Sequence, residues 1–399
     1  MHLAIVSPYP PTITGIGQYG YHVSRTLAGA GVFNRITLLT GRASETKTVE
    51  VPAGITIERL WRPDHVDIGR RITARLCQLE PDLVWFNLGT TVFGPSVWAN
   101  VSGLLSPALV KHAGFPSVMT MHEMPELADL RLLRAPGGPL GVLGAHWVTW
   151  ALTRADVICL TLKHYAEWLS ARQPGKRFVH IPIGMYNAPE ELEEPAAPEV
   201  LFFTTLAPFK GLDLLLEAFR VLRLSMPELR LTIAGAEHPR FPGYTASVQR
   251  HYADLCGVRW LGYVPEANVR DVFRQCQVVV LPYTAATGSS SVLYQAMVWG
   301  RPVVASGLPE LRSAVDEAGL RAEFFRSGDV AGLAGALAKL LRSPERRRRQ
   351  VRWNSRAMNC HGLDATGRAY LHAFNLALNM RSTLSRIRVP PEMTAESVG

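Results

Sequence analysis

Closely spaced cysteines are missing from this sequence: Cys77, Cys159, Cys256, Cys276 and Cys360 lie far apart, with no CxxC and no zinc-ligand spacing. A spacing-defined disulfide framework and a zinc motif are therefore excluded, and a reduced chain with structural thiols is the expectation. A long apolar run is missing too. The longest, residues 140–152, is broken by Gly144, His146 and Thr149 and falls short of the ~20 residues that span a bilayer. The apolar start, residues 1–6, is too short for a signal peptide and runs into Ser7-Pro8-Tyr9-Pro10-Pro11, so a cytoplasmic chain is expected. Acid is in deficit. Lys and Arg total 42 against 33 Asp and Glu, a net charge of +9, with lysine scarce beside arginine. Such an excess suits nucleic acid, an anionic membrane surface or phosphorylated substrates. The densest run, the four arginines at 346–349, has no interleaved aromatics and no RNA-binding signature; it reads as a solvated helix face, and nucleic acid is not expected as a partner.

What is present is the composition of a globular chain, 47% hydrophobic and 19% charged over 399 residues, long enough to need two cores. Short β-branched or aromatic runs alternate with longer amphipathic stretches. In the first half the strands fall at 3–6, 35–39, 83–86, 117–121, 157–160 and 178–181; in the second, at 200–203, 230–233, 258–261, 278–281 and 303–305. This alternation predicts βαβ units and parallel sheets covered on both faces. Between the halves, the acidic and proline-bearing stretch from Asn187 reads as a linker. The expected division is an N-terminal domain over 1–186, a linker over 187–198, a C-terminal domain over 199–362, and a helix with a tail over 363–399 that packs back toward the first domain. The clearest helix opens at Gly211, with Leu212, Leu215, Leu216, Phe219 and Leu222 on one face and Asp213, Glu217 and Arg220 on the other. Open α/β sheets bind ligands beyond the C-terminal ends of their strands, so a cleft there is the expected site.

Three segments carry chemistry. Gly15-Ile16-Gly17-Gln18-Tyr19-Gly20 is a literal G-x-G-x-x-G. However, Ser7 to Thr14 separate it from the first strand, and no acidic residue closes the second strand, which argues against NAD or FAD. A glycine loop opening a helix, where amides approach a phosphate or sugar, and a plain turn both remain open. Leu206-Ala207-Pro208-Phe209-Lys210-Gly211 lies between a strand and the amphipathic helix. A lysine at a helix N-terminus opposes the dipole unless an anion binds beside it, and a diphosphate would satisfy both lysine and amides; otherwise Lys210 is a solvent-pointing loop residue. The third segment runs Pro282-Tyr283-Thr284, Thr287-Gly288-Ser289-Ser290-Ser291, Gln295-Ala296-Met297 and Gly300-Arg301-Pro302 into the strand at 303. Its small hydroxyl residues suit an anion-binding helix N-terminus.

These stretches, with Leu231-Thr232-Ile233-Ala234-Gly235 and Leu261-Gly262-Tyr263-Val264-Pro265, resemble in order and spacing the donor-binding domain of glycosyltransferase family 4, retaining enzymes of the GT-B fold. The first half is similar at Gly15-Ile16-Gly17, at His122-Glu123 after a strand, at Arg154–Ile158, and at His180-Ile181-Pro182-Ile183-Gly184. The resemblance implies two Rossmann-like doubly wound domains facing across a cleft. It implies that Lys210 holds a donor diphosphate, helped by amides near Ser290, Ser291 and Val292 and by the loop at Gly15 and Gly17. Gly235, Glu237, Tyr263 and Val264 would border the base, Gln295 the ribose, Thr287 and His122 the sugar; no metal would be needed. Independently of the family, His122 after a strand also fits an ordinary core or edge residue. The chain departs from the family in three places. Thr205 stands where an arginine is usual, and Thr287 and Gln295 stand where two glutamates are usual. Gln295 can still accept from a hydroxyl, but a charge-assisted bond of about 1.5–3 kcal/mol becomes a neutral one of about 1 kcal/mol, and losing both glutamates would weaken donor binding unless Arg240 or another cation compensates.

The expected activity is transfer of a hexose from a UDP- or GDP-sugar to a saccharide or lipid-linked acceptor, with acceptor pockets in the loops at 89–98 and 126–138. Arg70, Arg71 and Arg75 on one helix would suit peripheral contact with the inner membrane face, or simply form a solvated face. The departures keep two alternatives in view: a catalytically silent GT-B subunit that binds a partner or glycan, and a nucleotide-sugar epimerase.

Overall fold

The computed structural model describes residues 1–12, 14–42, 51–133, 138–358 and 360–380. Residues 134–137 of one expected acceptor loop, and 381–399 of the expected tail, lie outside the described residues. In chain order the elements are β1 (His2–Val6), α1 (Gly15–Gly29), β2 (Arg35–Gly41), β3 (Ile55–Trp61), α2 (Ile68–Leu79), β4 (Leu83–Leu88), α3 (Val97–Leu104), α4 (Ser106–His112), β5 (Ser117–Met121), α5 (Gly138–Leu152), β6 (Val157–Leu160), α6 (Lys163–Arg172) and β7 (Arg177–His180). There follow β8 (Glu199–Phe203), a 3₁₀ turn (Pro208–Lys210), α7 (Leu212–Arg223), β9 (Arg230–Ala234), α8 (Tyr244–His251), β10 (Val258–Gly262), α9 (Glu266–Arg274), β11 (Val278–Leu281), α10 (Ser291–Val298) and β12 (Val303–Ser306). The last described elements are α11 (Pro309–Glu317), β13 (Glu323–Phe325), α12 (Val330–Leu341), α13 (Pro344–Met358) and α14 (Leu363–Asn379).

Two compact units result. The first gathers residues 1–127, 138–186 and the helix from Leu363; the second takes the chain from Asn187 to Gly362, together with Ala128 and the residues that follow it. In the first unit a parallel sheet runs β3-β2-β1-β4-β5-β6-β7. Its centre is apolar because parallel strands have helices on both faces: all six residues of β4 and all five of β5 are buried. Helix α14 packs against α1, β5 and β6, burying Tyr370, Leu371, Phe374 and Leu378.

The second unit holds a parallel sheet in the order β10-β9-β8-β11-β12-β13. Helix α7 buries the expected leucine and phenylalanine face. Gly211 does not begin it as a helical residue. Gly211 is its N-cap, at φ +73°, and a Cβ there would stand 1.9 Å from Pro282 O. The stretch from Asn187 is clamped onto this unit: Glu190 N–H donates to Val298 O, Leu192 is buried, and the Arg301 guanidinium donates to Leu192 O and Glu193 O.

Two strands were not visible in the sequence. Both are edges: β3 carries Glu58 and Arg59 in its middle, and β13 has three residues. The arginine run corrects a second expectation. Residues 346–349 lie on α13, but Arg347 is 3% exposed. Its guanidinium donates to Leu340 O and Leu341 O at the end of α12 and pairs with Glu194. Its neighbours Arg348 and Arg349 stay exposed. Arg347→Ala is expected to destabilise the chain by about 2–4 kcal/mol, because it strands buried carbonyls and breaks a half-buried ion pair. Arg348→Ala should stay within about 0.5 kcal/mol. Denaturant melts of the two variants check this, and equal midpoints would contradict it.

Candidate functional site

In the second unit the expected residues converge on one edge of the sheet. Lys210 follows β8, Gly235 follows β9, Tyr263 and Val264 follow β10, and Thr287, Ser290 and Ser291 follow β11. The strand order reverses between β8 and β11, and open α/β sheets take ligands outside the strand C-termini at that switch point. Lys210 and the start of α10 flank it.

The link between them is Tyr283, a buried residue to which the sequence reading gave no role. Lys210 Nζ stands 3.9 Å from the centre of the Tyr283 ring. The hydroxyl of the same ring donates to Thr204 Oγ1 at 3.3 Å and lies 3.4 Å from Ser290 Oγ. Ser290 is the N-cap of α10, and its side chain makes no cap hydrogen bond. The helix start is therefore not neutralised by its own capping residue, and its dipole favours an anion. No ion pair joins Lys210 to a carboxylate among the described residues. The cation rests on aromatic faces instead, a contact worth ~0.5–2 kcal/mol, which an incoming anion can outbid.

Beside Lys210 stands His238, whose Nδ1 accepts from Arg240 N–H at 3.1 Å. Burial first, then the charges of Arg240 and Lys210, lower its pKa. The Arg240 guanidinium lies 5.4 Å from the Phe241 ring and donates to Leu133 O at 3.4 Å. Gly235, at φ +137°, passes so close to Thr204 O that a Cβ would sit 1.7 Å away; only glycine lets β9 turn there. Glu237 spends its carboxylate within the unit, accepting from Gly243 N–H at 2.8 Å and Thr245 N–H at 2.7 Å, which lowers its pKa. Tyr263 is exposed, Val264 half-buried, and Thr205 exposed. Thr287 and Gln295 are half-buried. Gln295 Oε1 is buried with no hydrogen-bond partner among the described residues. An unpaired buried carbonyl oxygen costs ~1–3 kcal/mol, so a donor supplied by a ligand would be favoured there.

In the first unit the sheet order reverses between β1 and β4, and the residue bridging that point is Asn87, on β4. Its Nδ2 donates to Ser7 Oγ at 2.8 Å and to Ile16 O at 3.0 Å, and its Oδ1 meets His122 Nε2 at 2.6 Å. A carbonyl cannot donate to Ile16 O, so the amide orientation follows. His122 Nε2 must then carry the hydrogen, leaving the lone pair on Nδ1. Burial lowers the His122 pKa to about 3, so the ring is a neutral hydrogen-bonding group. Tyr19 packs edge-on against it at 4.9 Å. The Tyr19 hydroxyl meets Tyr370 Oη at 2.8 Å, which meets Thr120 Oγ1 at 2.7 Å, and Trp85 Nε1 donates to the same threonine at 2.9 Å. The adjacent Glu123 is engaged by Thr90 N–H and Oγ1–H at 2.8 and 2.7 Å.

Gly15 opens α1 with no heavy atom within 4 Å of where a Cβ would stand. The Gly17 amide already donates to Thr14 Oγ1, at 2.9 Å. Of the signals missed, Asn87 was the readable one, a lone amide in a strand of five apolar residues. Tyr283 and Tyr19 look like ordinary core aromatics in sequence.

Nuclear magnetic resonance of the imidazole nitrogens checks the His122 assignment. One protonated nitrogen, Nε2, should persist on acidification until pH nears about 3. Since the folded pKa lies below the unfolded 6.5, the unfolded chain binds more protons in between. This residue therefore removes stability as pH falls through that window. Titration near 6.5 would contradict the buried neutral ring.

A family model described as glycosyl transferases group 1 matches residues 197–343, and one described as glycosyl transferase 4-like domain matches residues 14–184. The chain is 25% identical over 359 residues to D-inositol 3-phosphate glycosyltransferase of Thermobispora bispora, covering 83% of this chain and 82% of that one. It is 30% identical over 148 residues, 36% of this chain and 41% of the other, to GDP-mannose:glycolipid 4-beta-D-mannosyltransferase of Xanthomonas campestris pv. campestris. Among solved structures, Anabaena Alr3699/HepE in complex with UDP and glucose aligns with a TM-score of 0.66 at 17% identity, covering 93% of this chain and 98% of that one. With both halves matched in the order of the sheets, the chain belongs to the group 1, family 4 type of GT-B glycosyltransferases, enzymes that move sugars from nucleotide-sugar donors.

Proposed function

We propose that the chain transfers a hexose from a UDP- or GDP-sugar to a saccharide or lipid-linked saccharide, with retention at the anomeric carbon. The observation that carries this reading is the pairing, through Tyr283, of a lysine with no carboxylate partner among the described residues and a helix start without a side-chain cap. A diphosphate satisfies both at once. As the glycosidic C–O bond to the diphosphate breaks, charge gathers on the leaving oxygen. Lys210 and the amides at Ser291 and Val292 would stabilise it where a metal serves in other enzymes. Gln295 would accept from a ribose hydroxyl with its unpaired Oε1, and Thr287 would lie near the sugar. Gly235, Tyr263 and Val264 would border the base, with Glu237 shaping the loop beside it, since its oxygens are already engaged. From the first unit, Gly15 would offer backbone close approach, and the neutral Nδ1 of His122 would accept from a sugar hydroxyl. The UDP and glucose in the HepE structure and the GDP-mannose and glycolipid in the name of the Xanthomonas relative support a nucleotide-sugar donor and leave both bases in play. A lipid-linked acceptor would be met at the inner membrane face by peripheral contact; no described helix is long and apolar enough to cross a membrane.

Incubation with UDP- and GDP-hexoses and a panel of saccharide acceptors tests the reading. Free nucleotide diphosphate should accumulate with one donor class, and the product should keep the donor's anomeric configuration by proton coupling. Lys210→Ala should lower kcat/KM by about 100-fold while leaving the thermal midpoint within a few degrees. Inversion at the anomeric carbon, sugar release without any acceptor, or unchanged kinetics in the variant would contradict it.

A further inference from the structure

Helices α3, α4 and α5 of the first unit form one layer, α5 packing on both of the others. None of the three carries an aspartate or a glutamate. Their exposed side chains are unusually apolar: Val97 is 69% exposed, Trp98 72%, Leu140 81% and Leu143 62%, with Val142 and Trp150 also exposed. The first two turns of α5 bury nothing, its buried residues beginning at Ala145. A folded chain rarely leaves so many large apolar groups in water without a use for them.

The charges around this layer decide what covers it. Three carboxylates near it have partners among the described residues. The Asp64 carboxylate accepts from Ser96 N–H at 2.6 Å, Glu126 pairs with His146 at 2.7 Å, and buried Asp156 pairs with Lys111 at 3.0 Å. The cation Arg154 lies 4.8 Å from the Trp150 ring, and Arg70 on the adjacent α2 has no carboxylate partner among the described residues. Arg71 and Arg75 of the same helix are paired with Asp67 and Glu58, so α2 alone offers less charge than its sequence promises. Two copies of this layer meeting face to face would oppose arginine-rimmed surfaces whose three helices carry no acid, which disfavours an isologous dimer.

We infer that the α3–α5 layer is a docking surface for an anionic lipid bilayer: Leu140, Val142, Leu143, Trp98 and Trp150 enter the headgroup boundary, and Arg154 and Arg70 meet lipid phosphates. Tryptophan, leucine and flanking arginine are the residues that suit that boundary, and the basic rim adds attraction to anionic lipid. The inference deepens the lipid-linked acceptor reading by giving the surface on which such an acceptor is met. It is testable without donor or acceptor, so a failure here leaves that reading standing.

The test is sedimentation of the full chain with vesicles of phosphatidylglycerol and phosphatidylcholine, against phosphatidylcholine alone. The chain should pellet with the anionic vesicles, less so in high salt. Leu140→Glu combined with Leu143→Glu should cut the bound fraction at least tenfold. The thermal midpoint should not move, because both side chains are already in water. No partition into anionic vesicles would overturn the inference, as would equal binding by the double variant. So would a dimer in solution that the double variant dissociates, for that would show a second copy on this face.

Discussion

The ring of Tyr283 holds the proposed donor site in order. Its face carries the Lys210 ammonium and its hydroxyl reaches Thr204 and the N-cap of α10. Cation and helix start are thus fixed on one side chain at the point where the strand order reverses. The backbone around it leaves little freedom: Gly211 passes under Pro282 O and Gly235 under Thr204 O, both in conformations that a side chain would block. Thr284 N–H donates back to Phe209 O at 2.9 Å, tying the strand-end loop after β11 to the turn that bears the lysine. Positive charge is held here without a counter-carboxylate among the described residues, and a bound anion would offset it.

The first unit uses the same sheet geometry differently. Its switch point is closed by an amide, Asn87, which joins the strand end at Ser7, the start of α1 at Ile16 and the ring of His122. Behind the histidine, the hydroxyls of Tyr19, Tyr370 and Thr120 form a buried chain ending at the Trp85 indole. The last described helix, α14, supplies Tyr370. A helix far along the sequence is thereby built into the support of a residue that follows β5. His122 at this switch point is a neutral, oriented group, whereas Lys210 at the switch point of the second unit is a cation.

Much of this was legible in the residues, and the reasons are local. Buried parallel strands such as β4, β5 and β11 announce themselves as apolar runs, and the glycine and hydroxyl punctuation around Lys210 and Ser290 fixes turns and helix starts. Of the four edge strands, β7 and β10 showed as apolar runs, whereas β3 is interrupted by Glu58 and Arg59 and β13 is too short to carry a pattern. Arg347 was misread since charge alone does not reveal burial; its role depends on Glu194, far away in sequence. Tyr283, Tyr19 and Tyr370 were invisible for the same reason, each acting through a tertiary hydrogen bond. At Gln295 the structure adds what no residue pattern could carry: its Oε1 is buried with no hydrogen-bond partner among the described residues.

A donor site that rests on Lys210 and the start of α10, with neutral Thr205, Thr287 and Gln295 around it, should depend heavily on the diphosphate. Calorimetric titration of the unmodified chain with UDP, UMP and uridine in parallel, and with GDP, GMP and guanosine, measures that dependence. The account predicts that the diphosphate of one base binds at least tenfold more tightly than its monophosphate, since only the second phosphate completes the contact with Lys210 and α10. Equal affinity for diphosphate, monophosphate and nucleoside in both series would contradict it.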